Sequence, residues 1–226
     1  GLLCEDLLLA PQQLDLLRAL FGTRRLFIPR HGYRELPVKV KFWQFKGGSN
    51  MALDTPTPEL KRQLVWRNHL RNRLIAGLAE AIVNDGDKAL AKKYPSLAAD
   101  LYAKLGGRVA ILVENVEHAE QLIKRLPGWA IVAGDVSDVS KLSPKAKTAL
   151  ESGSQPSVQK TQDVIVTTSA FAKIGVVDVL IRADAGVALP PISSEYFVAG
   201  DGVPKSLTIV DVDDRHHPHL RRRSKW

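Results

Sequence analysis

The chain has 226 residues, 45% of them hydrophobic and 25% charged, with a formal net charge of +8. That balance excludes a wholly disordered chain, and no apolar run approaches the ~18 residues that cross a bilayer. The single cysteine, Cys4, excludes an internal disulfide and a four-cysteine zinc site, and it fits a reducing, cytoplasmic compartment. Residues 1–10 have no basic start and are interrupted by Glu5 and Asp6, so they do not read as a signal peptide. A pI of about 9.6 points to an anionic partner, nucleic acid first, against the alternative of plain solubility.

In chain order, Pro11 opens a helical pattern with Leu14, Leu17, Leu20 and Phe21 on overlapping faces, and Gly22 stops it. LFI at 26–28 and PVKVKFWQF at 37–45 read as strands. In the second, Val38, Val40 and Phe42 alternate with Lys39, Lys41 and Trp43, which predicts one buried and one basic face. GGSN and DTPTP then form a linker up to residue 56. Thr57-Pro58 opens a long helix carrying Leu60, Leu64, Leu70, Leu74, Leu78 and Ile82, and NDGD at 84–87 ends it. A further helix spans 95–105, closed by Gly106-Gly107.

From there the period changes. RVAILVE at 108–114 is a continuous apolar run, the pattern of a strand buried on both faces. Asn115 is placed to cap a helix whose core face is Val116, Ala119, Leu122, Ile123 and Leu126. Pro127-Gly128 stops it, and WAIVAG is the next buried strand. Residues 135–162, rich in Ser, Lys, Gln and Pro, read as a mobile excursion with one short helix at 144–150. VIV, VVDVLI and SLTIVDV supply three more strands, and an amphipathic segment starts near Arg215. Buried strands interleaved with helices predict an α/β protein with an open, mostly parallel sheet in three layers and an N-terminal helix/strand appendage. Ligands of such sheets sit at the carboxyl ends of the strands. Thr167, Thr168 and Ser169 stand at such an end. They read either as a phosphate seat or as a helix N-cap with spare hydroxyls.

The chain lacks a G-x-x-x-x-G-K-[ST] loop, a G-x-G-x-x-G turn, H-E-x-x-H and G-x-S-x-G. RHHPHL at 215–220 has no partner carboxylates at a ligand spacing, so no functional metal site is assigned to it. VDVDD at 210–214 reads as strand-end capping before a magnesium site. Basic residues crowd both ends: Arg24, Arg25, Arg30, Lys39, Lys41 and Lys46, then Arg215, Arg221, Arg222, Arg223 and Lys225. Either group is placed to track a phosphate backbone or to form a solvated face.

The order of these parts resembles the second motor domain of superfamily-two DEAD/DEAH-type helicases and translocases. RVAILVENVEHAEQLIKRLPGWAIVAG resembles the family's fourth motif, and DVIVTTSAFAKIGVVDVLIRADAG the fifth. TIVDVDDRHHPHL is similar to the last strand of many such domains, and LRALFGTRRLFIP to the exit from a first motor domain. The resemblance implies that residues 1–56 are the end of a first motor domain and its linker. Residues 57–226 are then a C-terminal RecA-like domain, and the chain, which opens on Gly and closes on RRRSKW, is part of a longer protein. It implies DNA or RNA as partner, with Asn115, His118, Thr167, Thr168 and Ser169 at the nucleic-acid backbone. ATP and Mg2+ are held mainly by the first RecA-like domain, so this fragment alone is not active as an ATPase. No membrane partner is implied. The chain departs from the family in reading Gly175-Val176-Val177-Asp178 where G-x-D is usual, and in lacking Q-x-x-G-R-x-G-R. Arg182 is left as the candidate arginine finger, with Arg215 in reserve. The alternatives are a non-catalytic nucleic-acid-binding α/β module and an unrelated parallel α/β phosphate-ester enzyme.

Overall fold

The computed structural model describes residues 38–45, 57–134, 136, 139–186 and 206–214. The helix and strand read at 11–28, the linker at 46–56, the His-rich run and both terminal basic clusters, apart from Lys39 and Lys41, lie outside these residues, as does Arg215.

Six strands form one sheet: β1 (Val38–Gln44), β2 (Val109–Val113), β3 (Ala130–Val132), β4 (Val164–Thr167), β5 (Val179–Arg182) and β6 (Leu207–Asp213). Their order is β1-β6-β5-β2-β4-β3, and every pairing is parallel. Helices flank the sheet, so the chain has the open, three-layer parallel α/β architecture expected of a RecA-like sheet. The two-residue period of a strand explains how the sheet splits its core. Val109, Ile111 and Val113 of β2 join Ile165, Ile131, Ile181 and Val210 in one cluster. Ala110 and Leu112 join Val164, Val166, Leu180 and Ile209 in the other. A sheet covered on both faces needs such unbroken apolar strands, which is why β2 to β5 are buried throughout.

The first face carries most of the helices. α1 (Thr57–Lys61) widens into a π-turn at Arg62–Trp66 and stops. α2 (His69–Glu80) starts afresh because the Asn68 side chain accepts from Arg71 N at 3.0 Å. The single helix expected over this stretch is therefore broken. Leu78 and Ile82 are buried, but Leu70, on the same four-residue repeat, is exposed. Leu60, Leu64, Val65 and Trp66 bury elsewhere, against Ala185. A second π-turn runs straight into α3 (Gly86–Lys93), where NDGD was expected to end the helix. α4 (Pro95–Leu101) and α5 (Val116–Ile123) complete this stretch.

Two expectations are corrected. Residues 139–162 are not an excursion: α6 (Pro144–Gly153) and α7 (Pro156–Thr161) bury Ala146, Ala149 and Val158. Gly153 lies so close to β3 that an added Cβ would run into Ile131 O. The Ser- and Lys-rich composition hid small residues packing at close range. Second, β1, read as part of the segment ahead of residue 57, is hydrogen-bonded along its length to β6 of the same sheet. Its faces also differ from the expectation. Trp43 packs edge-on against Tyr94 with ring centroids 5.4 Å apart, and Lys41 pairs with Asp100 at 2.9 Å, while Phe42 is 45% exposed. No helix among the described residues is long and apolar enough to cross a membrane.

Candidate functional site

Because all strands are parallel, their carboxyl ends share one edge. The chain leaves β2 toward β4 and β3 and leaves β5 toward β6, so the neighbours β2 and β5 mark the switch point where such sheets open a crevice. Here that part of the edge is filled by the protein itself. Arg71 of α2 is fully buried and grips Asp214 through Nε–Oδ1 at 2.7 Å and Nη2–Oδ2 at 2.8 Å. Its Nη2 also donates to Ala183 O, just past β5, at 3.0 Å.

His118 belongs to this filled half. It is fully buried, with Nε2 3.1 Å from Asn72 Oδ1. Asn72 Nδ2 donates to Trp66 O at 2.7 Å, so the amide oxygen is the group facing the imidazole. His118 therefore carries its proton on Nε2 and donates it. Burial pushes its pKa well below the usual histidine range, and the nearby Arg71 charge adds to the effect. The imidazole that the resemblance set at a nucleic-acid backbone is thus buried and hydrogen-bonded inside the protein. The Asn115 oxygen is committed to capping α5, accepting from His118 N at 3.0 Å.

Arg182, the candidate finger, is enclosed as well. It is fully buried at the end of β5, with Nη2 3.2 Å from Asp184 Oδ2 and Nη1 3.5 Å from Asp211 Oδ2. Nη2 donates to Gly186 O at 3.1 Å as well. Turned into this cluster, Arg182 does not reach outward as an arginine finger. Ala185, between these contacts, adopts φ 52°, a left-handed conformation that an alanine rarely takes. Asp178, where the motif departs from its usual form, lies at the amino edge and accepts from Arg108 N at 2.9 Å.

The other half of the carboxyl edge, over β4 and β3, is different. Thr167 is buried and its Oγ1 lies 3.1 Å from Ser169 Oγ, while Thr168 and Ser169 are exposed. The chain continues as a short 3-10 helix, Thr168–Lys173, and Thr167 makes no side-chain capping bond to it. The hydroxyls are thus not consumed as a cap. Gly134, just beyond β3, leaves room for them: a Cβ there would meet Ser169 Oγ at 2.8 Å. Lys173 Nζ reaches Ala133 O at 3.4 Å. Thr168 Oγ1 leans on Glu114 O at 3.4 Å, and Glu114 in turn receives Lys61 Nζ at 2.7 Å and Trp66 Nε1 at 3.2 Å. Arg67 and Arg62 pair with Glu117 at 2.7 and 3.5 Å.

Lys61, Trp66, Arg71, Asn72 and Glu114 escaped the sequence reading because each acts through a partner far along the chain. The one available signal was the break at Asn68, an N-cap residue type inside an apparently continuous helix. No group of three or more His, Cys, Asp or Glu residues among the described residues is placed to hold a metal ion. A groove of about 470 Å³, lined by Leu126, Pro127, Trp129, Pro144 and Lys145, lies near the start of β3, away from the hydroxyls.

The chain matches no family model, and no curated protein matches it.

Proposed function

We propose that this chain is the nucleic-acid-gripping second motor domain of a helicase or translocase, and that it holds the sugar–phosphate backbone on the β4–β3 half of its carboxyl edge. The observation that carries this reading is the exposed pair Thr168 and Ser169, free of capping duty and set beside Gly134. Hydroxyls at a strand end donate to phosphate oxygens without reading bases, so they position a strand and leave sequence unspecified. The net charge of +8 and the order of motifs along the chain support the same reading. The ATP-holding residues belong, in this proposal, to a first motor domain. Arg215 remains the candidate finger.

A second reading is favoured by one observation. Arg182 is locked between Asp184 and Asp211, which fits a non-catalytic nucleic-acid-binding module. Nucleic-acid-stimulated ATP hydrolysis, measured with the natural upstream sequence fused ahead of residue 1, separates the two: stimulation supports the motor and its absence supports the module. A self-contained phosphate-ester enzyme is less well supported, since the ends of β2 and β5, where such an enzyme would open its crevice, are occupied by Trp66 on Glu114 and by Leu60 and Leu64 with Ala185.

The direct test is Thr168→Ala combined with Ser169→Ala. Affinity for single-stranded oligonucleotides is expected to fall by roughly tenfold, evenly across sequences, with the melting temperature unchanged. Unchanged affinity removes this edge as the binding surface.

A further inference from the structure

Glu114 touches both halves of the carboxyl edge. Its carboxylate takes Lys61 Nζ on Oε1 at 2.7 Å and Trp66 Nε1 on Oε2 at 3.2 Å, and its carbonyl accepts from Thr168 Oγ1 at 3.4 Å. The register sets this up: Val113 pairs with Thr167, so the next residues of β2 and β4, Glu114 and Thr168, emerge side by side. Lys61 and Glu114 are 22% and 33% exposed, neither sealed from solvent nor free of it. Ion pairs of that kind are weak and open to competition from another anion. Arg62 and Arg67 are tied to Glu117, in the first turn of α5.

We propose that Lys61 is a phosphate-binding cation of this edge, kept in place by Glu114 and handed over when a strand settles on Thr168 and Ser169. The inference rests on the nucleic-acid reading above and adds a residue and a mechanism to it. A lysine suits the exchange: its ammonium is a compact charge on a flexible stem, free to turn from a carboxylate to a phosphate without a fixed fork geometry. Glu114 then plays two opposed parts. It orders Lys61 before binding, and it competes with the phosphate for the same charge. On handover this segment loses its Lys61 tether and keeps those of Trp66 and Arg67 in and after the π-turn, so α1 stays seated through Leu60 and Leu64 in the cluster with Ala185.

The signs of two substitutions test this. Glu114→Gln keeps an acceptor for Trp66 and removes the competing charge. Binding of fluorescein-labelled oligothymidylate and oligouridylate by the whole chain, titrated over a range of salt, is the readout. Glu114→Gln is expected to tighten binding by about three- to tenfold. Lys61→Gln is expected to weaken it by a similar factor and to lower the salt slope by about one. In the Lys61→Gln background, Glu114→Gln is expected to change little. Melting curves confirm that each variant is folded, and Lys61→Arg, which keeps the charge, is expected to retain most of the affinity. Weaker or unchanged binding by Glu114→Gln overturns the inference. So does equal tightening with and without Lys61, which would make Glu114 a source of general repulsion. If the wild-type chain binds neither oligonucleotide, the functional reading falls and this falls with it. If the wild type binds and Thr168→Ala weakens it, but Glu114→Gln does not tighten it, only the present inference is lost.

Discussion

His118 has no hydrogen-bond partner on Nδ1, and that atom is where its second proton would go. In the unfolded chain the proton arrives near the ordinary pKa of 6.5; in the folded chain it arrives only well below. The unfolded state thus binds more protons in that window. Stability is full above about pH 6.5 and is lost as the pH falls below it, by at most about 1.4 kcal/mol per unit from this group. Urea midpoints taken at about pH 7.5 and about pH 5.5 check this: the drop is expected to be smaller in His118→Gln than in the wild type. Asp163, whose carboxyl burial pushes up, is common to both proteins and cancels. Arg182 makes the second residue-scale prediction. Removing it leaves Asp184 and Asp211 buried beside an empty place, so Arg182→Ala is expected to cost about 3–5 kcal/mol in urea unfolding. A finger exposed to solvent would cost almost nothing there. His118 and Arg182 carry the same lesson about reading single residues. Their types and their places just past β2 and at the end of β5 were visible in the chain, but whether each faces outward depends on Asn72 and Asp211, which no local pattern brings near.

Elements were more legible than residues where one physical signal dominated. The unbroken apolar runs at 109–113 and 164–166 announced buried parallel strands, and Asn115 announced the start of α5. α6 and α7 were missed as packed structure because their buried residues are small. Ala146, Ala149 and Gly153 give little hydrophobic signal, yet they let the helix backbone lie close on β3. The prediction at this scale follows from that closeness. Gly153→Ala would raise helix propensity in an isolated peptide. Here it drives a methyl into Ile131 O and is expected to destabilise the protein by at least about 1–3 kcal/mol. Chemical unfolding of the variant checks the sign. The split between α1 and α2 was missed for a different reason. Leucines spaced by four run through both helices, and the periodicity could not show that Asn68 ends one and begins the next.

At the scale of the molecule, the parallel sheet puts the ends of all six strands on one edge, and the protein uses the two halves of that edge differently. Over β2, β5 and β6 it is closed by α1, α2 and their ion pairs; over β4 and β3 it presents hydroxyls and a glycine. The chain is therefore expected to bind single strands in a strongly salt-dependent way while showing no ATP turnover of its own, since its sequence holds no phosphate-binding loop. Filter binding over a salt series and a phosphate-release assay on the same preparation test both halves of that statement. The parallel fold class was legible in advance from the alternation of strands and helices. The closure of half the edge was not, because it is built from Arg71 on one helix and Asp214 at the end of the last described strand.

The pairing of β1 with β6 has a consequence in time. Val38 finds its neighbour only at Leu207, so a chain leaving the ribosome carries its first described strand without that mate until the last described strand is made. Contacts so distant along the chain close late and slow the final step of assembly. A product cut short before β6 is left with two unsatisfied strands instead of one missing. Val38 and Val40 would then stand unclaimed, ready to be taken up by another chain.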